Sequence, residues 1–298
     1  SCFAVVLRGI LTCANFVTPP YGGIFNLTKV VYPNRSCGKC SRPIMAEWAV
    51  LQENEGRIHI VEIKDDMVKN KGLGVFNSAT LLADISIGEE VLIGQKYLTR
   101  LPARLPELVA GMARRAQTIS AKDAGAFITR LGIGEGDLVL EAGLGSGGLS
   151  LHLARVLGSN GHLMTVEPRE EHAEIGLLNL ERASSCFPSF PKHTHLSGMV
   201  EDVIPDEKFD AIILDLPDHT PAISACAERL AFGGRIACYA PSSSQLEKCW
   251  IACEDSGLNV EWAGELMERE WGRTSRGGMR PVNGPFGHTA FLLFAKKV

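Results

Sequence analysis

The chain of 298 residues lacks three features that would assign a protein to a broad class at once. It has no apolar run of the roughly 18 residues that a membrane-spanning helix needs, so no membrane span is expected. It has no excess of basic residues, because its formal net charge is −4, and a nucleic-acid partner would have to be held by local patches. Its nine cysteines are scattered and odd in number, which favours reduced thiols in a cytoplasmic protein over a disulfide framework.

Acidic residues are absent from residues 1–44, which carry five basic residues, so the remainder must carry a net charge of −9. Three interpretations of this leader stay open: a targeting extension, a segment outside the fold, or a zinc site built on Cys37 and Cys40 of "CGKC" with Cys2 and Cys13. Structural zinc sites usually show two tight ligand pairs, and only one is present. We therefore predict no metal and leave the role of the leader unassigned.

In the rest of the chain, the pattern of predicted strands and helices changes once. In residues 45–105, short β-type runs alternate with turn residues ("RIHIVEI", "GLGVF", "TLLADI", "EEVLIG"), which predicts a small, mostly β domain that binds RNA or serves assembly. The segment "LPARLPELV" is typical of a proline-marked connector. Residues 106–298 repeat strand, turn and helix, which predicts a doubly wound α/β domain with a parallel sheet.

A glycine-rich loop follows the first strand of that domain, in "VLEAGLGSGGLS". Gly143, Gly145 and Gly147 permit positive φ angles and let a ligand lie against bare backbone, while the helix that follows offers free N–H groups. Two acids flank this loop. Glu167 ends the second strand and could accept hydrogen bonds from a ribose diol, or cap the next helix, or both. Glu141 would repel a pyrophosphate, which favours a cationic nucleotide such as S-adenosylmethionine over a dinucleotide.

With these motifs in order, the sequence resembles the tRNA adenine N1-methyltransferase family, which modifies the T-loop adenine at tRNA position 58. The likeness covers residues 45–298 and includes "RRAQTISAKDAGAFI", the glycine loop, "DAIILDLPD", "CYAPSSSQL" and "GHTAFLLFA". The resemblance implies a Rossmann-like, S-adenosylmethionine-dependent methyltransferase of class I. One departure is that Ser120 and Ala121 replace the usual Tyr-Pro or His-Pro, which puts a contact to the target base in doubt.

The resemblance also implies site residues. Asp215 matches the catalytic aspartate, although a helix cap is the alternative role and Asp218 competes for it. Tyr239 matches an aromatic residue beside the target adenine. The implied cofactor-binding residues are Gln117, Glu141, Gly143, Leu144, Gly145, Ser146, Gly147, Gly148, Glu167, Pro168, Glu201, Asp202 and Asp215.

A tRNA partner requires local positive charge, and arginines cluster in two places. The predicted RNA-binding residues are Arg114, Arg115, Arg273, Arg276 and Arg280. The last three share a glycine-rich loop with Trp271, although a solvated charged face is the commoner meaning of such a cluster. The resemblance further implies a homotetramer. Three alternatives remain open: a class I methyltransferase acting on protein isoaspartate or a corrinoid precursor, a non-catalytic tRNA-binding subunit, and a nicotinamide oxidoreductase.

Overall fold

The computed structural model describes residues 4–7, 10–13, 48–282 and 287–298. The chain divides into two compact units, Ser1–Pro43 and Ile44–Val298. In the first unit, strand β1 (Ala4–Leu7) pairs antiparallel with β2 (Ile10–Cys13). The cysteines of "CGKC", and with them the zinc hypothesis, lie outside the described residues.

The second unit begins with short strands. They are β3 (Trp48–Glu53), β4 (Ile58–Glu62), β5 (Met67–Asn70), β6 (Gly74–Asn77), β7 (Glu90–Ile93) and β8 (Lys96–Leu101). Four of them form an antiparallel sheet in the order β4-β3-β8-β7, and β5 pairs with β6. The predicted strand in "TLLADI" is wrong. Its first part is helix α1 (Ser78–Leu82), because the Asn77 side chain accepts a hydrogen bond from the backbone N of Thr80 at 2.9 Å and so caps a helix.

The predicted connector also contains a helix, α2 (Leu105–Gly111), with a proline in its first turn, where a missing N–H does no harm. This helix packs directly on β4: a Cβ atom built on Gly111 would lie 2.8 Å from side-chain carbons of both Ile58 and Ile60. Val50 and Ile60 belong to the same apolar core as the larger domain. The small sheet is therefore fastened to the main fold through α2.

The main sheet has seven strands in the order β11-β10-β9-β12-β13-β17-β14. They are β9 (Leu138–Ala142), β10 (His162–Val166), β11 (Lys192–Leu196), β12 (Phe209–Leu214), β13 (Leu230–Ala240), β14 (Leu258–Glu265) and β17 (Phe291–Lys297). The first five strands in this order pair in parallel, as predicted. β17 instead runs antiparallel to both β13 and β14, so the expectation of a wholly parallel sheet is wrong. No crossover helix lies between β14 and β17 in the described part of the chain, and parallel neighbours need one.

Helices cover both faces of this sheet. They are α3 (Ala121–Leu131), α4 (Gly148–Leu157), α5 (Glu170–Cys186), α6 (Val200–Val203), α7 (Thr220–Arg229) and α8 (Ser243–Asp255). Successive residues of β9 point to opposite faces: Val139 joins the core under α3, α4 and α5, whereas Leu140 joins the core under α7 and α8. The doubly wound prediction is thereby confirmed. None of the described helices has the length and apolar character needed to cross a bilayer.

Candidate functional site

Chain order reverses at β9, because β10 and β11 extend to one side of it and β12 lies on the other. In such sheets, ligands bind where the carboxyl ends of the strands leave a gap at the reversal. Here the backbone N of Gly143 donates to the carbonyl of Asp215 at 3.3 Å, which ties the two strand ends together. A largely apolar cavity, called the crevice below, opens at this point. Of the predicted cofactor residues, five line the crevice: Gly143, Glu167, Pro168, Glu201 and Asp215.

The glycine positions of this loop have no place for a larger side chain. Gly145 and Gly147 have φ angles of +53° and +78°, which other residues rarely adopt. A Cβ on Gly148 would lie 2.8 Å from that of Thr118, and one on Gly143 would lie 3.3 Å from a Glu167 carboxylate oxygen. The loop therefore presents bare backbone beside a carboxylate, and α4 begins directly after it. These features fit a nucleotide that carries a ribose and an amino-acid group.

Two further predicted loop residues turn their side chains away from the crevice. The Ser146 hydroxyl accepts from the backbone N of Arg115 at 3.1 Å and of Ala116 at 3.0 Å, so it fixes the segment before α3. Leu144 is buried in the core beside Gly176. A cofactor could therefore meet these two residues only through their backbone.

Asn179 was missed by sequence reasoning, yet it holds the loop in place. Its side-chain amide, buried within α5, donates to the carbonyls of Ala113 and Ser146 at 2.8 and 2.9 Å and accepts from the backbone N of Ala113. The available signal was a single polar residue inside the apolar stretch "GLLNL". Of the remaining predicted residues, Gln117 and Asp202 are exposed and are not among those that line the crevice.

Glu167 is buried and fully engaged. Its carboxylate accepts hydrogen bonds from the backbone N of Gly145 at 3.0 Å and from the Arg169 guanidinium at 2.7 and 3.1 Å. Burial acts to raise the pKa of Glu167, but the hydrogen bonds from Arg169 and Gly145 outweigh it and leave that pKa below its ordinary value. The side chain is thus an anion at neutral pH. Arg169, which sequence reasoning did not single out, is largely exposed and stands where a ribose would approach.

The prediction that Glu141 places a charge at the mouth of the loop is wrong. This residue is only 3% exposed, and its carboxyl group accepts a hydrogen bond from the Ser150 hydroxyl at 2.5 Å. Burial, against the effect of that hydrogen bond, raises the pKa of Glu141 to about 8. The group is therefore mostly neutral at pH 7 in the free protein. Electrostatic repulsion by Glu141 cannot by itself reject a pyrophosphate.

Asp215 follows β12 and faces the crevice, and none of the described residues donates a hydrogen bond to its carboxylate. Asp215 is not the residue bonded to the start of the next helix, because Asp218 accepts from the backbone N of Thr220, the first residue of α7, at 3.1 Å, and the N-cap position is His219. Burial raises the pKa of Asp215 to about 6, although His219 and Arg169 oppose the shift. The carboxylate is ionised at neutral pH, partly desolvated and available as an acceptor.

Tyr239, near the end of β13, is 9% exposed and packs against Phe127 with ring centroids 6.4 Å apart. Burial, and after it the charges of Asp123 and Asp215, raise the pKa of Tyr239 to about 12, so its hydroxyl keeps its proton. The hydroxyl lies within hydrogen-bonding reach of Thr289. Tyr239 and Asp215 are thus electrostatic neighbours, and a place for Tyr239 beside the target adenine stays a prediction.

A network missed by sequence reasoning supports this tyrosine. Thr289 donates to Asp123 at 2.6 Å, and the Lys122 ammonium group donates to both Asp123 and Thr289. Ser120, the residue that departs from the family motif, caps α3 and donates to Asp123 at 2.9 Å. The Lys-Asp half of the motif therefore joins α3 to the segment before β17. Ser120 therefore has a structural role and does not provide the side-chain ring of the usual Tyr or His.

The predicted RNA-binding arginines are all exposed. Arg115 pairs with Glu171 at 3.2 Å, and Arg114 donates to the carbonyl of Val109. The other three lie on or between β15 (Trp271–Arg273) and β16 (Met279–Pro281), which form an antiparallel hairpin. Trp271 is 57% exposed. The hairpin thus offers cations together with an aromatic face, which is a suitable combination for RNA.

Comparisons with known proteins agree with this geometry. The family model described as "tRNA methyltransferase complex GCD14 subunit" matches residues 100–276. The tRNA (adenine(58)-N(1))-methyltransferase TrmI of Thermus thermophilus is 30% identical over 250 residues, which is 83% of this chain and 96% of that protein. The tRNA (adenine(57)-N(1)/adenine(58)-N(1))-methyltransferase TrmI of Methanocaldococcus jannaschii is 29% identical over 212 residues, covering 64% of this chain and 75% of the relative. A crystal structure of a SAM-dependent O-methyltransferase from Thermotoga maritima superposes with a TM-score of 0.69 and 26% identity, covering 85% of this chain and 93% of the other.

Proposed function

Because this chain belongs to the family of the tRNA methyltransferase complex GCD14 subunit, we propose that it transfers a methyl group from S-adenosylmethionine to N1 of the T-loop adenine of tRNA. The names of the two TrmI relatives share position 58 and differ over position 57, so we assign position 58. The observation that carries the proposal is the partly desolvated carboxylate of Asp215, which lies beside an intact glycine loop. A non-catalytic tRNA-binding subunit would need neither feature.

S-adenosylmethionine, when bound, supplies an electrophilic methyl group on a sulfonium centre. The residues that line the crevice suit its other parts. Glu167, an anion at neutral pH, would accept hydrogen bonds from the ribose hydroxyls in place of Arg169. The bare backbone from Gly143 to Gly147 would lie along the methionine portion. Glu201, which also lines the crevice, would meet the adenine amino group.

The reaction requires mainly that the protein position the two substrates and stabilise the charge that develops on the base. N1 of adenine has a lone pair and needs no base before it attacks, so holding it in line can contribute roughly 7–11 kcal/mol. Methylation makes the ring cationic. The Asp215 carboxylate, accepting from the adenine N6 amino group, would orient the base and stabilise the positive charge as it develops. Tyr239 is not among the residues that line the crevice, but it lies within electrostatic range of Asp215, and the resemblance implies that it contacts the ring. The base must leave its stack in the T-loop to reach this position.

The pH dependence of kcat/KM should report the ionisation of Asp215. Only the carboxylate form can stabilise a cation, and burial places its pKa at about 6. We therefore expect kcat/KM to rise with pH and level off above an apparent pKa of about 6 when measured with saturating S-adenosylmethionine. The midpoint should vanish from the residual activity of Asp215→Asn. A profile that is flat between pH 5 and 8 in the unmodified protein would contradict this assignment.

We propose that the β15–β16 hairpin grips tRNA phosphates. Changing Arg273, Arg276 and Arg280 together to glutamine should weaken tRNA binding roughly tenfold or more at moderate salt. It should also reduce the slope of log K against log salt by up to about 2–3, because each lost phosphate contact removes close to one released counterion. A fluorescence-anisotropy titration with tRNA at several salt concentrations measures both quantities.

The matched control carries the same loss of charge elsewhere: Lys192, Lys208 and Arg229 changed to glutamine. These residues lie at β11, before β12 and at the end of α7, far along the chain from the hairpin. If both triple variants bind tRNA alike, net charge and not the hairpin governs affinity, and the hairpin assignment fails.

The direct test of the function is methyl transfer to an unmodified T-loop-containing tRNA transcript, followed by nucleoside mass spectrometry. We expect 1-methyladenosine, and none from a transcript in which guanosine replaces adenine 58. Methylation at another nucleoside, or none with the purified protein, would overturn the proposal.

A homotetramer, a cytoplasmic location and a domain boundary near residue 105 are further proposals. The resemblance supports the first, and the free thiols of the described cysteines support the second. The third is supported by the apolar core that the small sheet forms on the face opposite the one it shares with the larger domain.

A further inference from the structure

A second cavity lies between the small β sheet and α5 and is called the basic cleft below. Its volume is about 330 Å³. It is lined by the start of β3, by β4 and the segment after it, by β5, and by one residue of α5. The basic cleft shares no lining residue with the crevice. A water molecule occupies about 30 Å³ of liquid volume, so the basic cleft has room for a phosphate group.

Cationic side chains dominate the lining of the basic cleft. Lys64, Lys69 and Arg182 contribute to it, whereas Glu62 is the single acidic residue among the lining residues. Both lysines are exposed, and neither forms an ion pair within the described part of the chain. A concave surface lined mainly by charges of one sign attracts ligands of the opposite sign.

Two aspartates precede β5 but lie outside the lining of the basic cleft. The Asp65 carboxylate accepts a hydrogen bond from the Asn77 side chain at 2.9 Å. The Asp66 carboxylate accepts one from the backbone N of Met67 at 2.7 Å. Both aspartates therefore serve the turn into β5 and form no ion pair with the cations of the basic cleft.

Arg182 is the cation of this cleft that lacks sufficient partners. Its guanidinium lies over the ring of Trp48, 4.7 Å from the ring centroid. The Nε atom is buried without a hydrogen-bond partner, and Nη1 donates to the Asn179 side-chain oxygen at a long 3.4 Å. None of the described carboxylates pairs with it, and burial lowers the pKa of Arg182 although the charges of Glu181 and Glu62 oppose this shift.

Two other partly buried arginines are paired. Arg235, with 29% of its side chain exposed, donates to Glu261 at 2.8 and 3.3 Å, and Arg229 pairs with Asp206. A guanidinium that is removed from water costs free energy unless an anion meets it, and its planar fork matches the oxygens of a phosphate. The anion that Arg182 lacks within the chain can thus come from a ligand.

From this placement we propose that the basic cleft binds a phosphate group, with Arg182 as the central donor and the exposed Lys64 and Lys69 beside it. The phosphate oxygens accept hydrogen bonds from the guanidinium, which keeps its position over Trp48. Such a group can belong to the backbone of tRNA or to a free phosphate compound. Resting on the proposed function, we expect the tRNA backbone, because backbone contacts position a nucleic acid without reading its sequence.

The first test titrates the full-length protein with inorganic phosphate at constant ionic strength and follows tryptophan fluorescence. A ligand at Arg182 should change the emission of Trp48, which lies against the guanidinium. We expect a saturable change that Arg182→Gln abolishes. The chain has four tryptophans, so Trp48→Phe, which should also lose the signal, shows that it comes from the basic cleft. Sodium chloride at equal ionic strength should produce no saturable change.

The second test measures tRNA binding by fluorescence anisotropy at several salt concentrations. Arg182→Gln should weaken binding about fivefold at moderate salt and reduce the slope of log K against log salt by about one, as expected for one lost phosphate contact. The matched control is Arg155→Gln, which removes an exposed arginine that lies over Phe187 with its guanidinium carbon 5.6 Å from the ring centroid. This control should bind tRNA as the unmodified protein does.

Cofactor binding shows whether Arg182→Gln keeps its fold. Asn179 retains its bonds to the carbonyls of Ala113 and Ser146 without Arg182, so calorimetry should give the unmodified affinity for S-adenosylmethionine. If Arg182→Gln does not fold, the double variant of Lys64→Gln and Lys69→Gln decides the question instead. Both lysines are exposed, and the double variant should weaken the binding of phosphate and of tRNA.

The outcomes separate the two sources and the two proposals. A phosphate response with unchanged tRNA affinity in Arg182→Gln would assign the site to a free phosphate compound, and a tRNA effect alone would assign it to the RNA backbone. The proposal is overturned if Arg182→Gln changes neither titration, or if Arg155→Gln weakens tRNA binding as much. Failure of the proposed function is read separately, because neither titration measures methyl transfer.

Discussion

Asp215→Ala should lose methyl transfer by about 10²–10⁴-fold in kcat while it still folds and binds S-adenosylmethionine. The loss follows because the Asp215 carboxylate faces the crevice without a hydrogen-bond donor among the described residues, whereas Glu167 is engaged by Gly145 and Arg169. The third carboxylate of the crevice, Glu201, is the proposed partner of the cofactor's adenine. Stability should not suffer. The folded protein holds the pKa of Asp215 above its ordinary value, so the charged carboxylate lowers stability as pH rises through about 6, and alanine removes that penalty.

Two matched variants make this result specific. Asp215→Asn keeps the shape but not the charge, and it should be nearly as inactive as alanine if charge stabilisation is the role. Asp218→Asn changes a nearby exposed carboxylate, which accepts a hydrogen bond from the backbone N of Thr220 at the start of α7, and should keep kcat within about twofold because asparagine can accept the same bond. Calorimetry of cofactor binding and nucleoside mass spectrometry give the two readouts. Undiminished kcat in Asp215→Ala would remove this residue from the mechanism.

The parts of the fold that could be predicted are those in which local sequence and burial agree. The strands around Leu140 and Ile212 are apolar on both faces because helices cover both faces, and such runs are recognisable without a structure. The glycine loop is equally legible, since Gly145 and Gly147 need positive φ and Gly148 has no room for a side chain. Because the loop lies directly before a helix, its position in the sequence predicted where the crevice would be.

The errors arose where tertiary packing decides. Two prolines made the segment of α2 look like a connector in the sequence. Only the tight contact of this helix with β4 through Gly111 shows why a helix forms there. The direction of β17 depends on how the chain returns from β14, which no local pattern encodes. Thr289 joins the network beneath Tyr239 from 166 residues beyond Asp123, a distance that motif reasoning does not cross.

The ionisation states of the carboxyl groups at the site were harder to predict than their positions. Glu141 and Glu167 both end strands at the same edge of the sheet, and their sequence contexts look alike. Glu167 receives a guanidinium and a backbone N–H, so its pKa falls, whereas Glu141 receives one hydroxyl and is buried, so its pKa rises to about 8. The chemistry suggested by the sequence survives this correction, because family membership and not repulsion by Glu141 now separates a methyltransferase from a dinucleotide enzyme.

Glu167→Gln is expected to raise the Kd for S-adenosylmethionine by about 10–100-fold. A hydrogen bond to a charged group contributes about 1.5–3 kcal/mol, and the amide both loses the charge and can offer only one acceptor oxygen to the ribose. The free protein should also become less stable above pH 5. The pKa of Glu167 is lowered on folding, so its ionised form contributes stability above its ordinary pKa, which the amide cannot supply. Calorimetry and thermal unfolding at pH 7 measure the two effects.

Arg169→Ala is the control that separates ribose recognition from general loss of charge. In the free protein, Arg169 occupies the Glu167 oxygens that the ribose hydroxyls need, so the two compete. Arg169 is 59% exposed although Glu167 is buried, so solvent weakens this ion pair, and its removal should tighten cofactor binding by up to about fivefold. The two variants therefore move the Kd in opposite directions. If Arg169→Ala weakens binding as much as Glu167→Gln does, the ion pair itself builds the site and Glu167 does not receive the ribose.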